Sequence, residues 1–118
     1  MTKLAAYQET LRQRQNAKLE QLVCRRRQAG QLADQAAKLL KQQFGAQQVM
    51  LFGSLAHGHW FSATSDIDLA VWGLDCLTYL TAVAQLQDLS PEFKIDLVRM
   101  ERCPPQLRQV ILQEGQLL

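Results

Sequence analysis

Three aspartates stand out because of the residues around them. Asp66 and Asp68 occur in Ser65-Asp66-Ile67-Asp68-Leu69, and Asp96 in Lys94-Ile95-Asp96-Leu97. Side chains alternate along a β-strand, so Asp66 and Asp68 share one face while Ile67 and Leu69 point to the other. An ionised carboxylate among apolar neighbours is costly unless it is paired or bound to a cation. Three of them drawn together would repel, and a divalent ion would turn that repulsion into a site. Oxygen-only ligands favour magnesium or manganese over zinc. Two such ions about 4 Å apart can clamp the attacking and leaving oxygens of a phosphoryl or nucleotidyl transfer.

A second feature is Gly53-Ser54, which follows the apolar run Val49-Met50-Leu51-Phe52 and precedes a short helical segment, Leu55-Ala56-His57-Gly58. A strand, a glycine turn and a helix start together present backbone N–H groups and a hydroxyl to an anion. Gly53 would let the backbone approach a phosphate, and Ser54 would donate its hydroxyl. Taken singly, an Asp-x-Asp pair or a Gly-Ser pair is usually a plain turn. Their order along the chain is what makes the combination specific.

The elements that must hold these residues can be read from periodicity. Residues 4–43 read as helix, with Leu4, Tyr7, Leu11, Leu19, Leu22 and Val23 at three- and four-residue spacing among good helix formers. A break or kink is expected at Ala29-Gly30, followed by a second helix over 31–43 with Leu32, Ala36, Leu39 and Leu40 on one face. Phe44-Gly45 closes it, the glycine suiting a left-handed cap. Strands are expected at 49–52, 67–72 and 94–100. Between the last two, a helix over 75–87 carries Leu77, Leu80, Ala84 and Val83 on its apolar face, with Asp75 as its cap. Pro104-Pro105 opens a final helix over 106–114, ended by Gly115. The order implies an α/β (α+β) fold, a small mixed sheet with covering helices. We expect one domain over 1–118, with N-terminal helices at 4–43 and a catalytic core over 45–118.

Bulk composition narrows the setting. The chain has 118 residues, 47% of them hydrophobic and 20% charged, as in ordinary globular proteins. No apolar run approaches the roughly 20 residues of a membrane span, and the start of the chain lacks a signal-peptide core. A cytoplasmic location is expected. Cys24, Cys76 and Cys103 are odd in number and widely spaced, so they read as free, buried or half-buried thiols. Residues 1–48 carry nine Lys and Arg against three Asp and Glu, whereas residues 49–118 carry four against eight. A basic partner-facing end and an acidic metal-facing end follow, with nucleic acid a weak candidate for the basic end.

The ordered pattern Gly53-Ser54, Asp66-Ile67-Asp68 and Asp96 resembles the signature of the DNA polymerase beta nucleotidyltransferase superfamily. More closely, LFGSLAHGHWFSATSDIDLAVWG resembles the minimal nucleotidyltransferases that are antitoxins paired with HEPN-domain ribonuclease toxins. The resemblance spans roughly residues 45–100. It implies that Gly53, Ser54 and the position of His57 bind the phosphates of a nucleoside triphosphate, ATP being favoured. It assigns Asp66 and Asp68 to two magnesium ions (manganese is possible). It gives Asp96 to the ion near the acceptor hydroxyl, which that carboxylate helps deprotonate. Many relatives carry Arg or Lys at the position of His57, and a mostly neutral ring implies weaker triphosphate binding. The implied activity is adenylylation of a partner HEPN-type toxin, in a hetero-oligomer with it. Two alternatives stay open: a nucleotidyltransferase acting on a small molecule such as an aminoglycoside, and an antitoxin that only binds.

Other residues have two readings each. His57 and His59 can touch phosphate or be polar loop residues. Trp60-Phe61 can stack on a nucleobase or pin the loop. Arg25-Arg26-Arg27 can bind nucleic acid or an acidic partner, or form a solvated face. Lys94 shares the face of Asp96, as a phosphate contact or a plain edge lysine.

Overall fold

Thr2 begins the first element by capping it, its hydroxyl accepting from the Ala5 N–H at 3.1 Å. In the computed structural model, which describes residues 2–57, 62 and 65–118, helix α1 then runs from Lys3 to Gln43. The break expected at Ala29-Gly30 is absent. A glycine inside a helix costs only about 1 kcal/mol relative to alanine. From that point on, Ala29, Leu32, Ala33, Ala36, Ala37 and Leu40 are buried, and this packing outweighs the cost. The small alanines let the helix lie close to the sheet. Gly45 ends it with φ +72°, and the Ala46 N–H returns to the Leu40 carbonyl at 3.0 Å.

The sheet has four strands: β1 Gln48–Phe52, β2 Ile67–Trp72, β3 Ile95–Arg99 and the two-residue β4 Gln116–Leu117. Their order is β3-β2-β1-β4. β1 is antiparallel to β2 and β4, and β2 is parallel to β3. Parallel pairing needs a crossover, which α3 (Cys76–Gln87) supplies. A four-residue helix α2 (Ser54–His57) follows β1. After β3 come a 3-10 turn (Met100–Arg102) and α4 (Pro105–Glu114). The turn and β4 are too short to leave a periodic signal, and neither was expected.

Alternation splits the sheet into two faces. Val49, Leu51, Ile67, Leu69, Val71, Ile95 and Leu97 pack under α1 and α3. Met50, Phe52 and Ala70 face the other way, with Met100 and Ile111.

Helix α3 corrects another expectation. Asp75 caps it as anticipated, accepting from the Thr78 N–H at 2.7 Å. The expected apolar face is nevertheless turned outward, with Leu77, Leu80 and Ala84 exposed. Ala82 and Leu86 are buried instead, and Tyr79 and Val83 are half-buried. Both stripes have helical spacing. The second one wins because it places hydrogen-bond donors over the outer edge of β3. There the Tyr79 hydroxyl donates to the Leu97 carbonyl at 2.6 Å, and the Gln87 amide donates to the Ile95 carbonyl. An otherwise open strand edge is thereby covered.

Two smaller expectations also change. Cys24 and Cys76 are exposed and Cys103 half-buried, all three as free thiols. Arg25 is not part of a solvated face, since its guanidinium stacks 4.2 Å from the Phe93 ring centre and donates to the Glu92 carbonyl. Among the described residues, no helix is long and apolar enough to cross a membrane.

Candidate active site

Topology brings the chemistry-bearing segments to one end of the sheet. β1 is antiparallel to β2, so it finishes where β2 begins; β3 is parallel to β2 and begins there too. Gly53-Ser54 at the end of β1 therefore meets Asp66-Ile67-Asp68 at the start of β2 and Asp96 at the start of β3. Asp68 and Asp96 are direct register partners, as are Phe52 and Asp68. Ile67, Leu69, Ile95 and Leu97 point into the α1 core, so by alternation Asp68 and Asp96 lie side by side on the opposite face. Asp66 sits one residue ahead of β2. The Ile67 N–H next to it donates to the Lys94 carbonyl at 2.9 Å, tying the two carboxylate segments together.

Gly53 presses directly on this group. Its φ is +75°, and a Cβ built there would overlap Asp68 Oδ2 and come within 3.2 Å of Asp68 Cγ. Both the left-handed backbone and the lack of space require glycine. The sequence points to this glycine for its freedom toward a phosphate. That its Cα also leaves room for the Asp68 carboxylate is a constraint no local pattern reveals, because the partner lies in another strand.

The electrostatics are those of crowded acids. Burial pushes the Asp68 carboxyl up, and the charges of Asp96 and Asp66 push it further, while Lys94 opposes them; the result is a pKa of about 6. Lys94 Nζ lies 3.6 Å from Asp96 Oδ1, on the shared face expected of it. This pair is largely exposed and holds the cluster together only weakly. Among the described residues, no three His, Cys, Asp or Glu side chains close on one point at ligand distance. The three carboxylates are nonetheless near enough that Asp68 feels the charges of Asp96 and Asp66. As a donor set they suit a hard divalent cation, since all three offer oxygen alone.

The backbone of His57 ends α2, but its side chain lies outside the described residues, as do His59 and Trp60-Phe61. Trp72 is half-buried against the second core cluster.

The family described as Polymerase beta, Nucleotidyltransferase matches residues 34–118, from the sheet-packed half of α1 through β4. This chain belongs to the polymerase beta nucleotidyltransferase family. Among solved structures, a toxin–antitoxin with AMP-PNP is 27% identical, with a TM-score of 0.61, over 72% of this chain and 70% of that one. A minimal nucleotidyltransferase is 29% identical, with a TM-score of 0.51, over 86% of this chain and 96% of that one. The complex of a tri-AMPylated Shewanella oneidensis HEPN toxin with an MNT antitoxin shares the fold at 24% identity and a TM-score of 0.58, over 75% and 70% of the two chains. No curated protein sequence matches the chain. The four-stranded mixed sheet is thus a polymerase beta-type nucleotidyltransferase fold, one that generally works with divalent metal ions.

Proposed function

We propose that this nucleotidyltransferase transfers AMP from ATP to a hydroxyl of a HEPN-type toxin, and is an antitoxin by virtue of that modification. The observation that carries the reading is the contact of the Gly53 turn with Asp68, beside Asp96 in the next strand. A phosphate-binding turn and a carboxylate cluster pressed together are what a reaction at a phosphorus centre needs. The likeness to a toxin–antitoxin with AMP-PNP and the sequence resemblance to HEPN-paired antitoxins support the choice of acceptor.

Asp66, Asp68 and Asp96 would hold two magnesium ions, with manganese as a substitute. The ions would supply charge neutralisation at the attacking and leaving oxygens. Gly53 lets the backbone approach the triphosphate, and Ser54 donates its hydroxyl to it. Asp96 accepts the proton of the acceptor hydroxyl as the acceptor oxygen bonds to the α-phosphorus. The bond from that phosphorus to the bridging oxygen breaks, and pyrophosphate leaves with the electron pair. Positioning and charge stabilisation carry such a reaction, with little further covalent chemistry asked of the protein.

The test is to incubate a purified candidate toxin with labelled ATP, magnesium and this protein. AMP-sized mass gains should appear on the toxin, and Asp66→Ala or Asp68→Ala should remove label and neutralisation together. Variants that neutralise fully without label would establish a binding antitoxin instead. Label found on an aminoglycoside and never on protein would establish a small-molecule enzyme.

A further inference from the structure

Helix α1 is far longer than the sheet needs. Its 41 residues span about 60 Å at 1.5 Å per residue, matching the molecule's longest extent of 66 Å. The radius of gyration is 18.2 Å, against about 13 Å for a compact chain of this length. None of residues 3–28 falls within the family region, which begins at residue 34. This projecting part is nevertheless patterned. Leu4, Leu11 and Leu22 are spaced by seven and eleven residues, close to whole turns. The same line continues through Ala29, Ala33 and Leu40, which are buried on the sheet. The face that packs on the sheet at one end of the helix is bare at the other, with Leu4 65% and Tyr7 62% exposed.

A second stripe runs beside the first, with Leu19 61% and Val23 68% exposed. It leads into an open cleft of about 440 Å³ between α1 and α2, lined by Val23, Arg26, Arg27, Leu51 and Leu55, with Asp34 as its one acidic side chain. Leu55 follows Ser54 in α2, so the cleft reaches the helix that carries Ser54, on the sheet face opposite Asp68 and Asp96. Among the described residues the ion pairs are Glu9–Arg12 and Lys94–Asp96, which leaves Arg26 and Arg27 without a carboxylate partner.

We propose that the projecting part of α1 and the cleft at its base form the docking surface for an acidic partner protein. Resting on the function proposed above, that partner is the acceptor of AMP. It lays an apolar ridge along α1 and sets its carboxylates against Arg26 and Arg27. Charge selects this occupant. Residues 2–28 carry seven Lys and Arg against two Glu, so two copies pairing through this helix would set like charges against each other. Nucleic acid would meet the charge but not cover the leucines. Area points the same way: 26 helical residues offer about 39 Å by 10 Å, roughly 400 Å², half of the ~800 Å² per partner in a stable interface. The cleft has to contribute the remainder, which brings the partner to Leu55, the residue after Ser54.

Three forms of the full-length chain decide the matter: wild type, Leu19→Gln/Val23→Gln and Arg26→Glu/Arg27→Glu. All four altered side chains are solvent-facing, and unchanged melting and ATP binding verify that the variants fold. Calorimetric titration with the purified candidate toxin should show at least tenfold weaker binding for each double variant. The charge variant should also lose most of the salt dependence. In the transfer assay, KM for the toxin should rise with little change in kcat. Equal affinities for all three forms, or no binding by wild type, would overturn the docking surface. So would a wild-type dimer that the leucine–valine variant dissolves, or a DNA or RNA duplex bound more tightly than the toxin through the arginines. Binding that weakens as expected without AMP on the toxin leaves the docking surface standing and removes the proposed reaction.

Discussion

Asp68→Asn removes a charge that the metal-free fold holds against its own burial and against two acidic neighbours, and the replacement has nearly the same shape. A rise from 3.8 to about 6 corresponds to at most about 3 kcal/mol, at 1.36 kcal/mol per pH unit. Asp68 is only partly buried, and solvent screening lowers this to about 1–2 kcal/mol. The folded protein binds the proton more tightly than the unfolded chain does. The stabilisation from that proton is complete below about pH 4 and is lost as pH rises through about 6. Asparagine stays neutral throughout. Without metal at pH 7.5, Asp68→Asn should therefore melt about 5 °C higher than wild type, and most of the gap should close near pH 4. Magnesium with ATP should reverse the order, because wild type gains stability by binding and the variant gains little. Thermal melts at the two pH values, each with EDTA and with magnesium–ATP, measure all of this. A metal-free variant that melts at or below wild type at pH 7.5 would refute the idea that uncompensated charge is concentrated at Asp68.

Gly53→Ala forces a Cβ into the Asp68 carboxylate at φ +75°; urea unfolding should show a loss of about 1–3 kcal/mol, with ATP binding lost as well. Ser54→Ala should weaken ATP binding by roughly 1–3 kcal/mol, the range for a hydrogen bond to a charged group, whereas His57→Arg should tighten it; a titration reads both. Gly30→Ala should stabilise the protein by about 0.5–1 kcal/mol, since the helix is continuous there and the added Cβ meets nothing within 4 Å; lower stability in urea would indicate a bend at that position. Tyr79→Phe removes the bond to the Leu97 carbonyl and should cost about 1 kcal/mol in the same assay.

Much of the architecture was legible because it is written in local chemistry. The β2 boundaries, the Asp75 cap, the proline that opens α4 and the left-handed Gly45 each depend on residues a few positions apart. The phase of α3 was not legible in this way. Leu77-Leu80-Ala84 is the more apolar stripe, yet Tyr79-Ala82-Val83-Leu86 faces the core, since the acceptors its donors reach belong to a strand eight to eighteen residues further on. Nor was the continuity of α1 through Gly30, because the packing that holds the helix comes from the sheet.

The candidate site divides along the same line. Composition and spacing by themselves determined which groups are available: three carboxylates in apolar strands, a Gly-Ser turn after a buried strand, and a basic helix. Those are properties of side chains and of two-residue periodicity. Only the tertiary structure decided that Asp68 and Asp96 are register partners, that Gly53 makes room for Asp68, and that Arg26 and Arg27 share a cleft with Leu51 and Leu55. Strand pairing and the seat of a helix on a sheet depend on contacts between residues tens of positions apart, which spacing along the chain does not encode.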